Sequence, residues 1–300
     1  MGVKKAIKSL INKLPYVRNI YQNNLEYLEL KKNGFFLFVS VEDIKKREFE
    51  IWNKTNKDGI PGIDLRTDDQ IKLIENFARY YNEIPFKSEK QPNIRYYYEN
   101  DWYSYADGII LYSMIRYLTP QRIIEIGSGF SSAVMLDTNE LFFDNQINLT
   151  FIEPYPERLY SLLNDNDIKQ TSILQSDIQL VNLDNFKKLH AGDILFVDSS
   201  HVVKTGSDVN YILFEILPLL NSGVLIHFHD VFYPFEYPKE WVLEGRNWNE
   251  DYFLKAFLIN NSKFEIRLFA DYIQKLHREA FMSMPLSLKS TGQNLWIEKK

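Results

Sequence analysis

Three of the chain's five histidines, His201, His227 and His229, fall between positions 201 and 229, and each stands within three residues of an aspartate. Imidazole beside carboxylate supports two kinds of chemistry: proton transfer near neutral pH, and the nitrogen–oxygen donor set that holds a divalent cation. The chain contains no cysteine, which excludes thiolate zinc sites, disulfides and cysteine nucleophiles. Any metal must therefore be held by Asp, His and water, and any base must be a nitrogen or a carboxylate.

Further acids recur upstream at one kind of place. Residues 122–127, 148–154, 171–177, 193–199 and 223–230 are short β-branched or aromatic runs followed by polar residues. They end at or near Glu125, Glu153, Asp177, Asp198 and Asp230 in turn. Helical patterns between several of these runs predict βαβ units and a buried parallel sheet, whose ligands sit outside the carboxyl ends of the strands. One acid there would be unremarkable, but five in succession form a constellation. After the first strand, the turn Gly127-Ser-Gly129 lets backbone approach a ligand closely. The third position of a dinucleotide fingerprint is Ser132 rather than Gly. Glu153 is placed to accept hydrogen bonds from both hydroxyls of a ribose, each charge-assisted bond contributing about 1.5–3 kcal/mol.

The run RIIEIGSGFSS, followed by FIEP, SDI, DILFVDSSH and GVLIHFHD, resembles the class I S-adenosylmethionine-dependent methyltransferases. Within that class it is similar to the bacterial branch that acts on sugars and other small molecules. The resemblance covers about residues 95–300. It implies an α/β, Rossmann-like sheet of five parallel strands plus a closing antiparallel pair, drawn from residues 263–270 and 293–299. It also implies S-adenosylmethionine as cofactor. Gly127 and Gly129 would face its methionine and ribose, Glu125 would fix that turn or the ammonium group, and Glu153 would hold the ribose hydroxyls. Asp177 and Ile178 would flank the adenine, with Asp198 and Ser199 near the methionine end and the transferred methyl. Tyr97, Tyr98 and Asn100 match the position of a segment draped over the cofactor. The implied reaction moves a methyl group to a hydroxyl of a small molecule or sugar/glycan precursor.

A hydroxyl acceptor must lose a proton, and two mechanisms compete for that step. In one, Asp198, Asp230 and His229 bind Mg²⁺ or Mn²⁺, which lowers the hydroxyl's pKa. His229 stands where some relatives carry an acid, which reduces the charge of the site. In the other, His201 or His229 is itself the base, oriented by Asp198 or Asp230. His227 is earlier in its strand and is expected to be buried and hydrogen-bonded. The insertion at 231–250 is strongly aromatic. Its Tyr233, Phe235, Tyr237, Trp241 and Trp248 suit an acceptor pocket, with Arg246 available for an anionic group. A packed cover or a dimer contact explains the same composition.

Two other functions compete with this reading. An NAD(P)-linked oxidoreductase is disfavoured by Ser132, by Glu125 leading into the glycine turn, and by the last two strand tips. A non-catalytic cofactor-binding scaffold is disfavoured by the intact set of acids. A 45% hydrophobic, 25% charged composition is that of a globular protein, and a net charge of −5 argues against nucleic-acid binding. The missing cysteines fit a cytoplasmic protein. No apolar run reaches the roughly 18–20 residues that span a bilayer. Residues 1–20 form a basic amphipathic pattern, expected to pack on the protein itself, on a sister subunit of a homo-oligomer, or weakly on an anionic membrane surface. The expected division is a helical N-terminal region, 1–85, and a cofactor-binding domain, 86–300. A helix over 68–81 is predicted in the former, capped by Thr67 or Asp68, with Ile71, Ile74, Phe77 and Ala78 as its buried stripe.

Overall fold

A computed structural model of the chain describes residues 41–53 and 59–300, so the basic pattern at 1–20 lies outside the described residues. The chain divides between Ile51 and Trp52 into two compact units. In the first, the helix Val41–Lys46 carries an exposed Lys46–Asp43 ion pair at 3.1 Å.

The second unit is built on a seven-stranded sheet: β1 (Arg122–Ile126), β2 (Asn148–Ile152), β3 (Ser172–Leu174), β4 (Ile194–Val197), β5 (Leu225–His229), β6 (Phe264–Phe269) and β7 (Asn294–Lys299). The order is β3-β2-β1-β4-β5-β7-β6. Strands β1 to β5 are parallel, and β7 runs antiparallel between β5 and β6. All seven lie where the sequence places them, trimmed at their ends where the chain turns away into the loops. β4 and β5 are buried along their whole length, as apolar parallel strands covered on both faces must be. Phe151, Phe196, Phe228 and Trp296 are among the largest fully buried side chains.

Strand order reverses between β2-β1 and β4-β5, which opens a crevice at the carboxyl ends of β1 and β4. Register then decides what meets there. Ile126 is opposite both Ile152 and Val197, so the next residues, Gly127, Glu153 and Asp198, emerge side by side. Val197 pairs with Phe228, which brings His229 next to Asp198.

The predicted helix near 68–81 forms as Thr67–Tyr81. Its N-cap is Arg66 in a left-handed conformation, rather than Thr67 or Asp68, and Asp64 Oδ1 accepts the Arg66 N–H at 3.0 Å. The buried stripe is Gln70, Leu73, Ile74 and Phe77, with Ile71 and Ala78 at its margins. Gln70 Oε1 accepts the backbone N–H of Phe269 at the end of β6, at 2.7 Å. Tyr81 Oη accepts the N–H of Leu286 at 3.0 Å. Residues 59–85, grouped with the N-terminal region on sequence, belong to the same unit as the sheet. Among the described residues no helix is long and apolar enough to cross a membrane.

Candidate active site

The turn after β1 is the tightest point of the crevice. Gly127 has φ +81°, and a Cβ placed on it would lie 1.8 Å from the carbonyl oxygen of Asp198. Only glycine fits such an approach without moving backbone. Glu125, fully buried beneath the turn, accepts hydrogen bonds from Ser131 Oγ (2.5 Å) and Ser132 Oγ. Ser132 Oγ in turn accepts the N–H of Gly129 at 3.0 Å. Ser132 thus serves as the link between a buried acid and the turn. Burial pushes the Glu125 carboxyl up to about 8, against the opposing pull of the two serine hydroxyls. Of the two tasks expected of Glu125, fixing the turn is the one its contacts perform.

Two adjoining clefts lie over the strand tips. One, of about 460 Å³, is lined by Glu153, Pro154, Tyr155, Asp177, Ile178 and their neighbours. The other, of about 320 Å³, is lined by the glycine turn, Trp102, Tyr103, Arg158 and the His201–His229–Asp230 group. Gly127, Glu153, Asp198 and Ser199 line both. Glu153 is half-buried between them, accepting the N–H of Ser128 at 3.1 Å and of Tyr155 at 2.8 Å.

Deepest in the second cleft, His201 is held in a left-handed backbone conformation, φ 58°. Its Nε2 stands 3.3 Å from Asp198 Oδ1 and 3.5 Å from Asp230 Oδ2. Its Nδ1 is 2.9 Å from Glu250 Oε2. One ligand atom each from Asp198, His201 and Asp230 lie within 4.8 Å of one another, close enough to be able to share one metal ion. The imidazole of that trio is His201, not the His229 expected from sequence. The left-handed turns at His201 and at Asp230 (φ 56°) bring these two side chains to within 3.5 Å of each other. His229 stays on its strand, with Nε2 3.6 Å from Asp230 Oδ1 and its ring 5.1 Å from that of Tyr103.

Charge in this cluster is strongly mutual. Burial pulls the His201 imidazole down, but Asp198 and Glu250 outweigh it and hold the ring well above its ordinary value. Burial likewise opposes ionisation of His229, and Asp230, Asp198 and Asp107 together raise it. Asp198 is raised by burial yet ends lowered, because His229, His201 and His227 favour its charged form. His227 behaves differently. It is fully buried, stacks on Phe196 at 3.8 Å and lies edge-on to Trp296. Neither ring nitrogen has a hydrogen-bond partner, contrary to expectation, and burial drives its pKa well below the usual range. The two rings nearest it, Phe196 and Trp296, offer no acceptor, and the third, His229, is stacked at 5.9 Å.

Several functional positions escaped the sequence. Glu250, at the start of the helix Glu250–Leu258, is buried against His201 although far from it in the chain. Trp102 and Tyr103 reach the cleft, whereas Tyr98 stacks on Tyr105 in the core and Tyr97 lies edge-on to Phe130. Asn100 shapes that segment: its Oδ1 accepts the N–H groups of Trp102 (3.0 Å) and Tyr103 (2.7 Å). In the insertion, Tyr233, Phe235 and Tyr237 are core residues rather than pocket walls, with Tyr233 and Phe235 packed on Phe269. Of the five aromatics considered there, Trp248 is the one that lines the cleft, its ring 4.4 Å from that of His201, and Trp241 packs edge-on behind it at 5.3 Å.

Residues 124–231 match a family described as "Methyltransferase domain". An all-parallel dehydrogenase sheet has no antiparallel strand inserted beside β5. The strand order and the glycine turn at the switch point are those of the Rossmann-like class I methyltransferase fold, and residues 124–231 are similar to a methyltransferase domain. The glycine turn with the Glu153 carboxylate beside it is a cradle whose chemistry suits the methionine and ribose of S-adenosylmethionine. An uncharacterised protein of Archaeoglobus fulgidus is 28% identical over 152 residues, 50% of this chain and 68% of that protein. Similar solved structures include a Podospora anserina methyltransferase bound to S-adenosylhomocysteine, 15% identical, TM-score 0.43, covering 88% of this chain and 98% of that one. Another is the O-methyltransferase TomG of Streptomyces achromogenes in complex with S-adenosylmethionine, 14% identical, TM-score 0.41, covering 76% and 90%.

Proposed function

We propose that the enzyme methylates a hydroxyl of a small-molecule acceptor, sugars and glycan precursors included, with Asp198, His201 and Asp230 holding a divalent cation. The observation that supports this reading is the convergence of those three side chains with Glu250 against the far nitrogen of His201. Metal-bound histidines almost always have such a partner. Two carboxylates and one imidazole form a mixed donor set, closer to what Mn²⁺ accepts than to the all-oxygen shell preferred by Mg²⁺. A cation there would act as a Lewis acid toward the hydroxyl and would neutralise the carboxylates that raise His229.

The remaining work falls to the chain. The glycine turn, Glu153 and the Asp177–Ile178 segment position the cofactor, and alignment alone supplies several kcal/mol of the barrier to an in-line displacement. His229 takes the hydroxyl proton at Nε2, with Asp230 beside it to stabilise the imidazolium; a positioned base contributes about 10²–10⁴-fold. The cytoplasm is the location that fits an enzyme of this composition. The test is turnover on a panel of hydroxylated sugars after EDTA treatment and after reloading with Mn²⁺ or Mg²⁺. Loss and recovery of activity is expected; turnover indifferent to EDTA would remove the cation and leave a histidine base acting alone.

A further inference from the structure

Two arginines lie by the second cleft, each over an indole: Arg158 lines the cleft itself, and Arg246 lies over Trp248, which does. Arg158, in the segment after β2, has its guanidinium carbon 3.7 Å from the centroid of Trp102, and both residues line the cleft. Arg246, in the segment after β5, lies over Trp241 at 4.2 Å and Trp248 at 5.3 Å. Arg158 follows β2 and Arg246 follows β5, and β1 and β4 lie between those two strands in the sheet. Both arginines are exposed. Among the described residues Arg158 forms no ion pair, and the one ion pair of Arg246 is with exposed Glu244 at 3.3 Å. A surface pair of that kind contributes little.

Stacking on an indole restricts a guanidinium while leaving N–H groups at its edge, all of them in Arg158 and those not facing Glu244 in Arg246, to grip a carboxylate or phosphate. The floor of the same cleft carries Glu153, Asp198 and Asp230. A cation held by Asp198, His201 and Asp230 would engage the acceptor hydroxyl, so a hydroxylated molecule that also bears an acidic group can set its hydroxyl toward the cation while the anion meets the guanidiniums.

We propose that Arg158 and Arg246 form an anion-binding rim and that the acceptor therefore carries a carboxylate or phosphate in addition to the hydroxyl to be methylated. This rests on the hydroxyl-acceptor reading above and narrows it. The cofactor's own carboxylate is the other source of the same chemistry for Arg158, and the experiment separates the two.

The full-length protein, saturated with S-adenosylhomocysteine, is titrated calorimetrically with phenyl phosphate and with phenol. Phenyl phosphate binds at least tenfold more tightly than phenol; Arg158→Gln and Arg246→Gln each reduce that preference, and the double variant abolishes it. No preference in the wild type, or a preference that survives in the double variant, overturns the proposal. So does an Arg158→Gln variant that binds S-adenosylhomocysteine tenfold more weakly while keeping the phosphate preference, which would assign Arg158 to the cofactor. Methyl transfer to the sugar panel is read separately, from product, so failure there sinks the hydroxyl reading while this binding result is still legible. Both substituted side chains are exposed, and neither substitution disturbs the core.

Discussion

Glu250 Oε2 lies 2.9 Å from His201 Nδ1, while the opposite ring nitrogen faces Asp198 at 3.3 Å and Asp230 at 3.5 Å. The imidazole is thus polarised along one axis: a proton on Nδ1 is held by Glu250, and Nε2 is aimed at the pair of aspartates. That is the orientation a metal-binding histidine needs, and the same helix start also fixes the backbone there, the Glu250 N–H donating to the His201 carbonyl at 3.2 Å.

Glu250→Gln keeps an acceptor near Nδ1 but removes its charge. Mn²⁺ affinity should fall about 10–100-fold, the usual effect of losing a partner behind a ligand. S-adenosylhomocysteine affinity should not change, because Glu250 lines neither cleft. Electron paramagnetic resonance of free Mn²⁺ reads the first quantity and calorimetry the second. An unchanged Mn²⁺ affinity would show that His201 is not a ligand.

Glu153 has two neighbours of its own chain to serve as well as a ribose, since it accepts from the backbone of Ser128 and Tyr155. Glu153→Gln retains the size of the side chain and weakens every bond it accepts, from about 1.5–3 kcal/mol to about 0.5–1.5 kcal/mol each. The dissociation constant for S-adenosylhomocysteine should rise tenfold or more, measured calorimetrically. Thermal unfolding of the unliganded variant controls for a disturbed turn. Wild-type affinity in a folded variant would refute the ribose assignment.

The seven strands and their acidic tips were legible because their signals are local: β-branched runs, a Gly-x-Gly turn, and acids at fixed offsets from both. Register completed the rest, since aligning Ile126 with Ile152 and Val197 is enough to gather Gly127, Glu153 and Asp198. The metal trio was half legible. Asp198 and Asp230 stand in the sequence reading and in the proposed trio alike, but the choice between His201 and His229 turns on a positive φ at His201, which no neighbouring residue announces. Glu250 and Tyr103 were invisible for a different reason: only tertiary packing brings them to the cleft, and composition gives no hint of it. The aromatic insertion failed in a third way. Aromatic content alone does not distinguish Phe235, sealed against Phe269, from Trp248, which faces the cleft.

Glu125 gives the structure a pH dependence of defined sign. Its carboxyl is raised from an ordinary 4.5 to about 8 by burial. Between those values the folded chain keeps a proton that the unfolded chain releases, so stability falls as pH rises through that window and levels off above it. Glu125→Gln reproduces the donor–acceptor pattern of the protonated acid toward Ser131 and Ser132. The difference in Tm between wild type and variant should therefore move in favour of the variant from pH 5 to pH 9. A difference constant across that range would mean that the acid beneath the turn is ionised throughout.

Trp248 and Trp241 should separate by role. Trp248 is a wall of the second cleft and packs on His201, so Trp248→Ala should raise the acceptor KM and lower kcat, leaving S-adenosylhomocysteine affinity near wild type. Trp241 does not line the cleft, and it meets Trp248, which does, by an edge-on contact at 5.3 Å. Such aromatic pairs contribute about 0.5–1.5 kcal/mol, so Trp241→Ala should raise KM by roughly 2–10-fold and spare kcat. It also removes the closer of the two indoles under Arg246. Its effect on KM should therefore be larger for acidic acceptors than for neutral ones, whereas that of Trp248→Ala should extend to both. Steady-state kinetics on a matched acidic and neutral pair checks this. Equal losses of cofactor and acceptor binding in Trp241→Ala would instead make the insertion a structural cover.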